Sequence, residues 1–331
     1  MRALVLAAGL GTRLLPLTRY VPKPMFPVMN KPVMEYALEL LRSFDIRDIA
    51  VNLHHLPDPI THHFGAGEAF GVRLNYSWED TILGTAGGIK ALQSFLDGGP
   101  FIVINSDVFV NIDLNQVIEF HKKKGSCLTL VLRPGNNRFD PIEVASDGRI
   151  VHFMGAGNAR EVTSRVTFTG IQIMEPEIFA HIPENRFCGT TDEIFPAMVR
   201  ENLPVYGYLH PGYWNDMGNP ESYLKLHRDL FDGKARLENR KVFAPPKGPL
   251  IIPPVHIGQD CKISGSAQVG PYATLGNNCR LKNGAVVEHS VCWNDVEVGI
   301  DSAVRHSILG NGVTIGDKRE AVNLVLGKEE V

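Results

Sequence analysis

The chain has 331 residues, 44% of them hydrophobic and 21% charged, the profile of a soluble globular protein long enough for more than one core. Its 33 basic and 36 acidic residues nearly balance, which excludes the strong field of a chain that binds nucleic acid or an anionic membrane nonspecifically, so anion recognition has to be local. Five cysteines (Cys127, Cys188, Cys261, Cys279, Cys292) with no C-x-x-C pair exclude a disulfide scaffold or zinc ribbon; with no stretch of membrane-spanning length and no signal-cleavage pattern, the expected location is the cytoplasm.

The chain opens on an apolar strand, Arg2 to Ala8, that runs into Gly9-Leu10-Gly11-Thr12-Arg13, with Pro22-Lys23-Pro24 following shortly after. Two close glycines at a strand end let the backbone approach an anion, its N–H groups can cradle it, and Arg13 and Lys23 add positive charge. The pattern is neither a P-loop, which needs Gly-Lys-Ser/Thr where Thr12-Arg13 stands, nor a dinucleotide fingerprint, which needs a third glycine where Leu14 stands. The reading is a triphosphate site.

Next, Pro32 opens a helix with Val33, Ala37, Leu40, Leu41 and Phe44 on one stripe. Ile49–Leu53 and Phe101–Asn105 read as buried strands, Leu114–Lys124 as a helix and Leu128–Leu132 as a further strand. Strands alternating with helices predict a mostly parallel sheet covered on both faces, with ligands beyond the carboxyl ends of its strands, where Ser106 and Asp107 fall. His54, His55, His62 and His63 are split by Pro57 and Pro59, and adjacent pairs do not converge easily on one ion, so they are not read as a zinc site.

The α/β pattern lasts through Glu221–Phe231, and a proline-rich linker follows. Beyond it Ile257, Ile263, Val269, Leu275, Leu281 and Val287 recur every six residues, the mark of a hexapeptide β-helix in which each apolar residue points inward and three hexads make a turn. After Val287 the phase slips, with Trp293 at the expected place; a looped-out residue between His289 and Asp295 accounts for the slip. Such coils point to assembly into a homo-oligomer. His256, His289 and His306 raise acyl transfer as another possibility, but three or four coils are short for a shared acyl-donor cleft.

Gly9 to Arg13 with Pro22-Lys23-Pro24 resembles the signature of the sugar-nucleotide pyrophosphorylases, nucleotidyltransferases that join a sugar 1-phosphate to an NTP and release pyrophosphate. The resemblance spans nearly the whole chain and implies four parts. Residues 1–232 would form an α/β, Rossmann-like nucleotidyltransferase domain with a mixed, mostly parallel sheet, 233–254 a linker, 255–320 a left-handed parallel β-helix and 321–331 a tail. It implies Arg13 and Lys23 as catalytic cations. Leu6, Ala7, Ala8, Gly9, Gly11 and Thr12 would bind nucleotide, as would Gly84, Thr85, Ala86 and Gly87, whose loop is similar to the one that lies along base and ribose. Asp107 resembles the first metal aspartate, and Asp216, in Trp214-Asn215-Asp216-Met217-Gly218-Asn219-Pro220, the second; the ion implied is Mg²⁺.

On the sugar side Thr169-Gly170 is similar to a strand that borders the sugar, but the usual Glu-Lys-Pro lysine is missing after Gly148–Phe153, where Met154-Gly155-Ala156 follows. Arg160 or Arg165 is the expected substitute. The stretch Gly212–Tyr223 and the β-helix most resemble mannose-1-phosphate guanylyltransferases, implying GTP and mannose 1-phosphate. Glucose-1-phosphate uridylyl- or thymidylyltransfer, uridylyltransfer as in cell-wall recycling, and a noncatalytic sensing subunit are the alternatives.

Overall fold

The computed structural model describes residues 1–134, 142–157, 164–184, 186–237 and 248–328. The chain divides into two compact units that do not follow sequence order: Met1–Leu10 with Met34–Trp214, and Gly11–Val33 with Asn215–Val331.

The first unit is built on a ten-stranded mixed sheet. Its parallel half runs Phe101–Asn105, Arg2–Leu6, Asp48–Leu53, Arg73–Trp78; the first three read as apolar runs because both faces are covered, with Leu4, Val5, Ala50, Val51, Ile102 and Val103 fully buried, while Arg73–Trp78 is the more polar, partly exposed edge. Register places Leu6 level with both Asn52 and Asn105, so these strands end at one edge and the residues that leave them share it. Beyond Phe101–Asn105 the sheet turns antiparallel through Ser164–Met174, which pairs on its other side with Leu128–Pro134; Val205–Leu209 then adds in parallel. Gly170, at φ 82°, takes up a register slip in that long strand, and a Cβ there would lie 2.7 Å from Asn105 Nδ2.

The helices hold to their expected places. Leu114–Lys124 is capped by the Asp113 carboxylate, which accepts from Asn115 N–H at 2.9 Å, and closed by Gly125 at φ 56°. Val33–Ser43 buries Val33, Met34, Ala37, Leu38 and Leu41, so its apolar stripe sits one position off the expected one and leaves Leu40 and Phe44 half-exposed.

The second unit holds a three-sided parallel β-helix of the left-handed class, with five strands in each of two sheets and four in the third among the described residues. Ile251 pairs with Val269 and Val269 with Val287, eighteen residues on each time; Val287 then pairs with Val304 and Val304 with Ala321, seventeen on. The phase slip is therefore not a looped-out residue. Each later coil is one residue shorter, and the inward position after Val287 is Cys292, not Trp293, since Leu275 pairs with Cys292 and Cys292 with Leu309. The coils also continue past residue 320 through Glu320–Val322 and Val325–Leu326, inside the stretch expected to be a tail. Helix Pro220–Phe231, with a reciprocal Asn219–Ser222 capping box, belongs to the same unit.

Candidate active site

In the first unit the two loops expected to bind nucleotide are tied together by groups that the motifs did not single out. Ala7 N–H donates to Asn52 Oδ1 at 2.9 Å, Asn52 Nδ2 donates to Glu79 Oε1 at 2.7 Å, and Glu79 Oε2 accepts from Leu83 N–H at 2.9 Å. The backbone carbonyl of Glu79 also holds His54 Nδ1 at 2.8 Å. This relay runs from the end of the first strand to the residue before Gly84. Asn52 and Glu79 are 3% and 6% exposed, so both depend on these bonds. Gly88 seals the crossing, because a Cβ there would lie 2.7 Å from Asn52 Nδ2 and 2.8 Å from Glu79 Oε1. The signal available in sequence was positional: Asn52 is polar inside an apolar strand, and Glu79 directly follows another.

The Gly84 loop begins the helix Gly84–Ala91 with Gly84 at φ 75°, where a Cβ would lie 2.5 Å from the Cys188 carbonyl oxygen. That carbonyl accepts from Ala86 N–H at 2.9 Å and Gly87 N–H at 3.2 Å, and Thr85 Oγ1 accepts from Thr190 N–H at 2.8 Å. The N–H groups of Ala86 and Gly87 are thus spent on internal structure.

Of the residues expected to border the sugar, Thr169 is buried with its hydroxyl donating to the Val131 carbonyl at 2.8 Å, and its own carbonyl accepts from Trp214 Nε1 at 2.7 Å. Its side chain therefore braces the sheet, while Gly170 beside it leaves the backbone bare. Arg165 has a 74% exposed side chain with Nε 3.4 Å from Glu143 Oε1, on the strand pair that leads away from Gly170; Arg160 lies outside the described residues. Arg133, which the motifs did not indicate, stands closer to Thr169: its Nη1 donates to the Trp214 carbonyl at 3.3 Å and its guanidinium carbon lies 5.2 Å from the Trp214 ring centre. Asp107 occupies the half-buried turn after Asn105, with Ser106 N–H donating to the Leu6 carbonyl at 3.0 Å.

In the second unit, Gly11 adopts φ 64° and caps the short turn Thr12–Leu14 that carries Arg13. A Cβ on Gly11 would lie 2.8 Å from Thr18 Cγ2 and 3.5 Å from Lys23 Cβ, so the glycine lets the Lys23 turn pack closely. Gly218 plays the corresponding part for Asp216. A Cβ at Gly218 would lie 2.9 Å from Asp216 Oδ2 and 3.3 Å from both terminal nitrogens of Arg13. Gly11, Arg13, Lys23 and Asp216, some two hundred residues apart in sequence, thus share one unit, and the bare Gly218 backbone lets the Asp216 carboxylate and the Arg13 guanidinium both come close to it.

Among the described residues no group of three or more His, Cys, Asp or Glu side chains could hold a metal ion by itself. Mg²⁺, the expected ion, takes one or two carboxylates and completes its shell with water and substrate phosphates. The donor chemistry fits: Asp107 and Asp216 carry the hard oxygen donors that such an ion takes. A separate cavity of about 650 Å³ in the second unit is lined by Leu224, Lys225, Arg228, Lys234 and His306 and contains none of these residues. Its lysines are held by Asp229 and Asp232, Lys234 Nζ to Asp232 Oδ2 at 2.9 Å.

Residues 2–233 match the family described as "Nucleotidyl transferase", and residues 251–331 match "GMPPB C-terminal domain". A UTP–glucose-1-phosphate uridylyltransferase of Synechocystis is 31% identical over 327 residues, 90% of this chain and 84% of the relative. A mannose-1-phosphate guanylyltransferase of Mycobacterium tuberculosis is 30% identical over 86% of this chain and 79% of its own length. Mannose-1-phosphate guanylyltransferase 1 of Arabidopsis thaliana is 28% identical over 100% of this chain and 92% of its own. The crystal structure of HddC from Yersinia pseudotuberculosis superposes with a TM-score of 0.58 at 24% identity over 68% of this chain and 97% of that one, which shows the shared fold.

Proposed function

This chain belongs to the sugar-1-phosphate nucleotidyltransferase family, and from that premise we propose that it forms an NDP-sugar and pyrophosphate from an NTP and a sugar 1-phosphate, with GTP and mannose 1-phosphate as its pair. The observation that carries the reaction is that Gly11, Arg13, Lys23 and Asp216 share one unit, with Asp216 and Arg13 both against Gly218 and Lys23 packed on Gly11. A phosphate oxygen of the sugar attacks the α-phosphorus of the NTP, the bond from that phosphorus to the β-bridging oxygen breaks, and the electron pair leaves with pyrophosphate. Arg13 and Lys23 neutralise the charge that grows on the leaving pyrophosphate, and the backbone from Leu6 to Thr12 orients the triphosphate. Asp107 and Asp216 would hold Mg²⁺, which supplies charge neutralisation between the reacting phosphates. The Asn52–Glu79 relay keeps the strand-end loop and the Gly84 loop in register for the nucleotide. Arg133, which sits against the Trp214 that bonds Thr169, takes the place of the absent lysine on the sugar phosphate in preference to the outlying Arg165.

Guanylyltransfer is supported by the match over 251–331 and by the relatives named mannose-1-phosphate guanylyltransferase. The uridylyltransferase relative keeps glucose 1-phosphate and UTP as the reading to beat. The test is pyrophosphate release with Mg²⁺ across nucleoside triphosphates paired with mannose, glucose, N-acetylglucosamine and N-acetylmuramate 1-phosphates. Highest kcat/KM for GTP with mannose 1-phosphate is the expected result; preference for UTP with glucose 1-phosphate overturns the substrate assignment and leaves the reaction intact.

A further inference from the structure

The residue after each inward position on one side of the β-helix forms a column: Gly258, Gly276, Trp293, Gly310 and Gly327 follow Ile257, Leu275, Cys292, Leu309 and Leu326, residues that pair from coil to coil. One tryptophan stands in a file of glycines. Bare glycines in such a file expose backbone, and here part of that backbone is covered from within the unit by residues 16–30. A Cβ on Gly310 would lie 2.9 Å from Leu17 Cδ2, and one on Gly327 would lie 2.8 Å from Tyr20 Cε2 and 3.5 Å from Pro16 Cβ. At the other end Asn30 Nδ2 donates to the carbonyl of Leu275, the residue before Gly276, at 2.8 Å.

Trp293, 2% exposed, fills the middle of the file. Its ring meets Phe26 edge-on at 4.7 Å between centres, and its Nε1 donates to the Tyr223 hydroxyl at 3.0 Å. That hydroxyl in turn donates to the Pro27 carbonyl, and the same carbonyl accepts from His227 Nε2 at 3.3 Å while Thr274 holds the other ring nitrogen at 3.0 Å. Lys23 is three residues upstream of this grip, and its carbonyl accepts from Phe26 N–H at 3.0 Å.

We infer that Trp293 is a positioning residue: the glycine file of the β-helix is the seat of the signature segment, and Trp293 fixes that segment so that Lys23 and Arg13 meet the triphosphate. The inference rests on the role given above to those two cations. One side of the coil is thereby occupied by the chain's own segment.

The test compares the full chain with Trp293→Gly, which completes the glycine file, and Trp293→Phe, which keeps a ring. Amide exchange over residues 16–30 is expected to rise at least tenfold in Trp293→Gly while the coil strands and the strand Arg2–Leu6 keep their protection. In the same protein kcat is expected to fall by on the order of ten- to a hundredfold, with KM for the sugar 1-phosphate nearly unchanged, and Trp293→Phe is expected to recover most of it. Unchanged exchange over 16–30, or faster exchange with unchanged kcat, overturns the inference. Lys23→Ala measured alongside separates the two readings: if it keeps full turnover, the role given to Lys23 fails, whereas exchange in Trp293→Gly still reports on the seat itself.

Discussion

The Ala7–Asn52–Glu79–Leu83 relay is directional, and its direction makes a sharp prediction. Asn52 must accept from Ala7 N–H with its oxygen, so its nitrogen faces Glu79, and Glu79 must accept from both Asn52 and Leu83. A carboxylate meets that demand and an amide does not. In Glu79→Gln one of the two bonds is lost and two N–H donors face each other across a gap of 2.7 Å. A hydrogen bond to a charged group contributes about 1.5–3 kcal/mol and a stranded buried donor costs a similar amount, so the variant should lose about 3 kcal/mol, or roughly 6–12 °C in Tm for a unit of this size. Asn52→Asp should lose about as much, because two buried carboxylates then meet, and its loss should shrink at low pH, where one proton bridges them. The double variant Asn52→Asp with Glu79→Gln restores every bond with the charge moved across: the new carboxylate accepts from Ala7 N–H and from the new amide nitrogen, while the amide oxygen accepts from Leu83 N–H. It should sit within about 1 kcal/mol of the parent, a coupling of at least about 5 kcal/mol against the summed losses of the singles. Guanidinium denaturation of the four proteins measures the cycle, and KM for the NTP in the same set reads the loops at either end. Simple additivity, with the double variant losing the sum of the two singles, would refute the relay.

Gly218→Ala should lower turnover by on the order of tenfold or more with little change in Tm, since the added carbon crowds the side-chain ends of Asp216 and Arg13, 2.9 and 3.3 Å away, without demanding an unusual backbone. Asp107→Asn and Asp216→Asn should each reduce kcat by on the order of a hundredfold and move the Mg²⁺ dependence of pyrophosphate release to higher concentration; near-normal values in both remove the metal assignment. Arg133→Met should raise KM for the sugar 1-phosphate more than KM for the NTP in initial-rate assays, and Arg165→Met should raise neither. Burial holds His227 near pKa 3, below its ordinary 6.5, with its bond to the Pro27 carbonyl opposing the shift. The native state therefore stays neutral while the unfolded chain takes up a proton, so the stability His227 contributes is full above pH 6.5 and is lost as pH falls toward 3. About 1 kcal/mol should go between pH 6.5 and 5.5, measured by urea unfolding, and His227→Gln should flatten that slope.

Local patterns made much of this legible. The hexads from Ile257 to Val287 report the β-helix because each coil buries its inward residue against the next, and the apolar run from Arg2 to Leu6 reports a central strand because both its neighbours pair with it in the parallel sheet. Coil length was less accessible. Dropping one residue leaves a sequence that reads equally as a slip or a bulge, and only the pairing of Leu275 with Cys292 and Cys292 with Leu309 separates them. Thr169 shows the complementary difficulty: its place beside Gly170 matched a motif, but the bond to Val131 that turns its hydroxyl inward is made by a strand thirty-eight residues earlier. Asn52, Glu79 and Arg133 escaped notice because each acts through a partner distant in sequence.

The grouping of Gly11–Val33 with the β-helix follows from what that segment cannot do alone. Apart from the two-residue strands Pro27–Val28 and Lys31–Pro32, its regular structure is three short turns, Thr12–Leu14, Leu17–Arg19 and Lys23–Met25, each of three residues and each too short to bury its own apolar side chains. Yet Leu14, Leu17, Phe26 and Val28 are all at most 1% exposed. Something rigid has to cover them, because a cation on a loose turn gives up the placement that phosphoryl transfer depends on. A stack of hydrogen-bonded coils is such a surface: its backbone is braced in every turn, and bare glycines let a neighbouring segment approach without a side chain between. Trp293 then supplies the one large contact that a glycine file lacks. On this argument the stiffness of the coils and the accuracy of Arg13 and Lys23 are one property of the chain, reached by letting the signature segment leave the sheet that precedes it and settle on the helix of strands more than two hundred residues later.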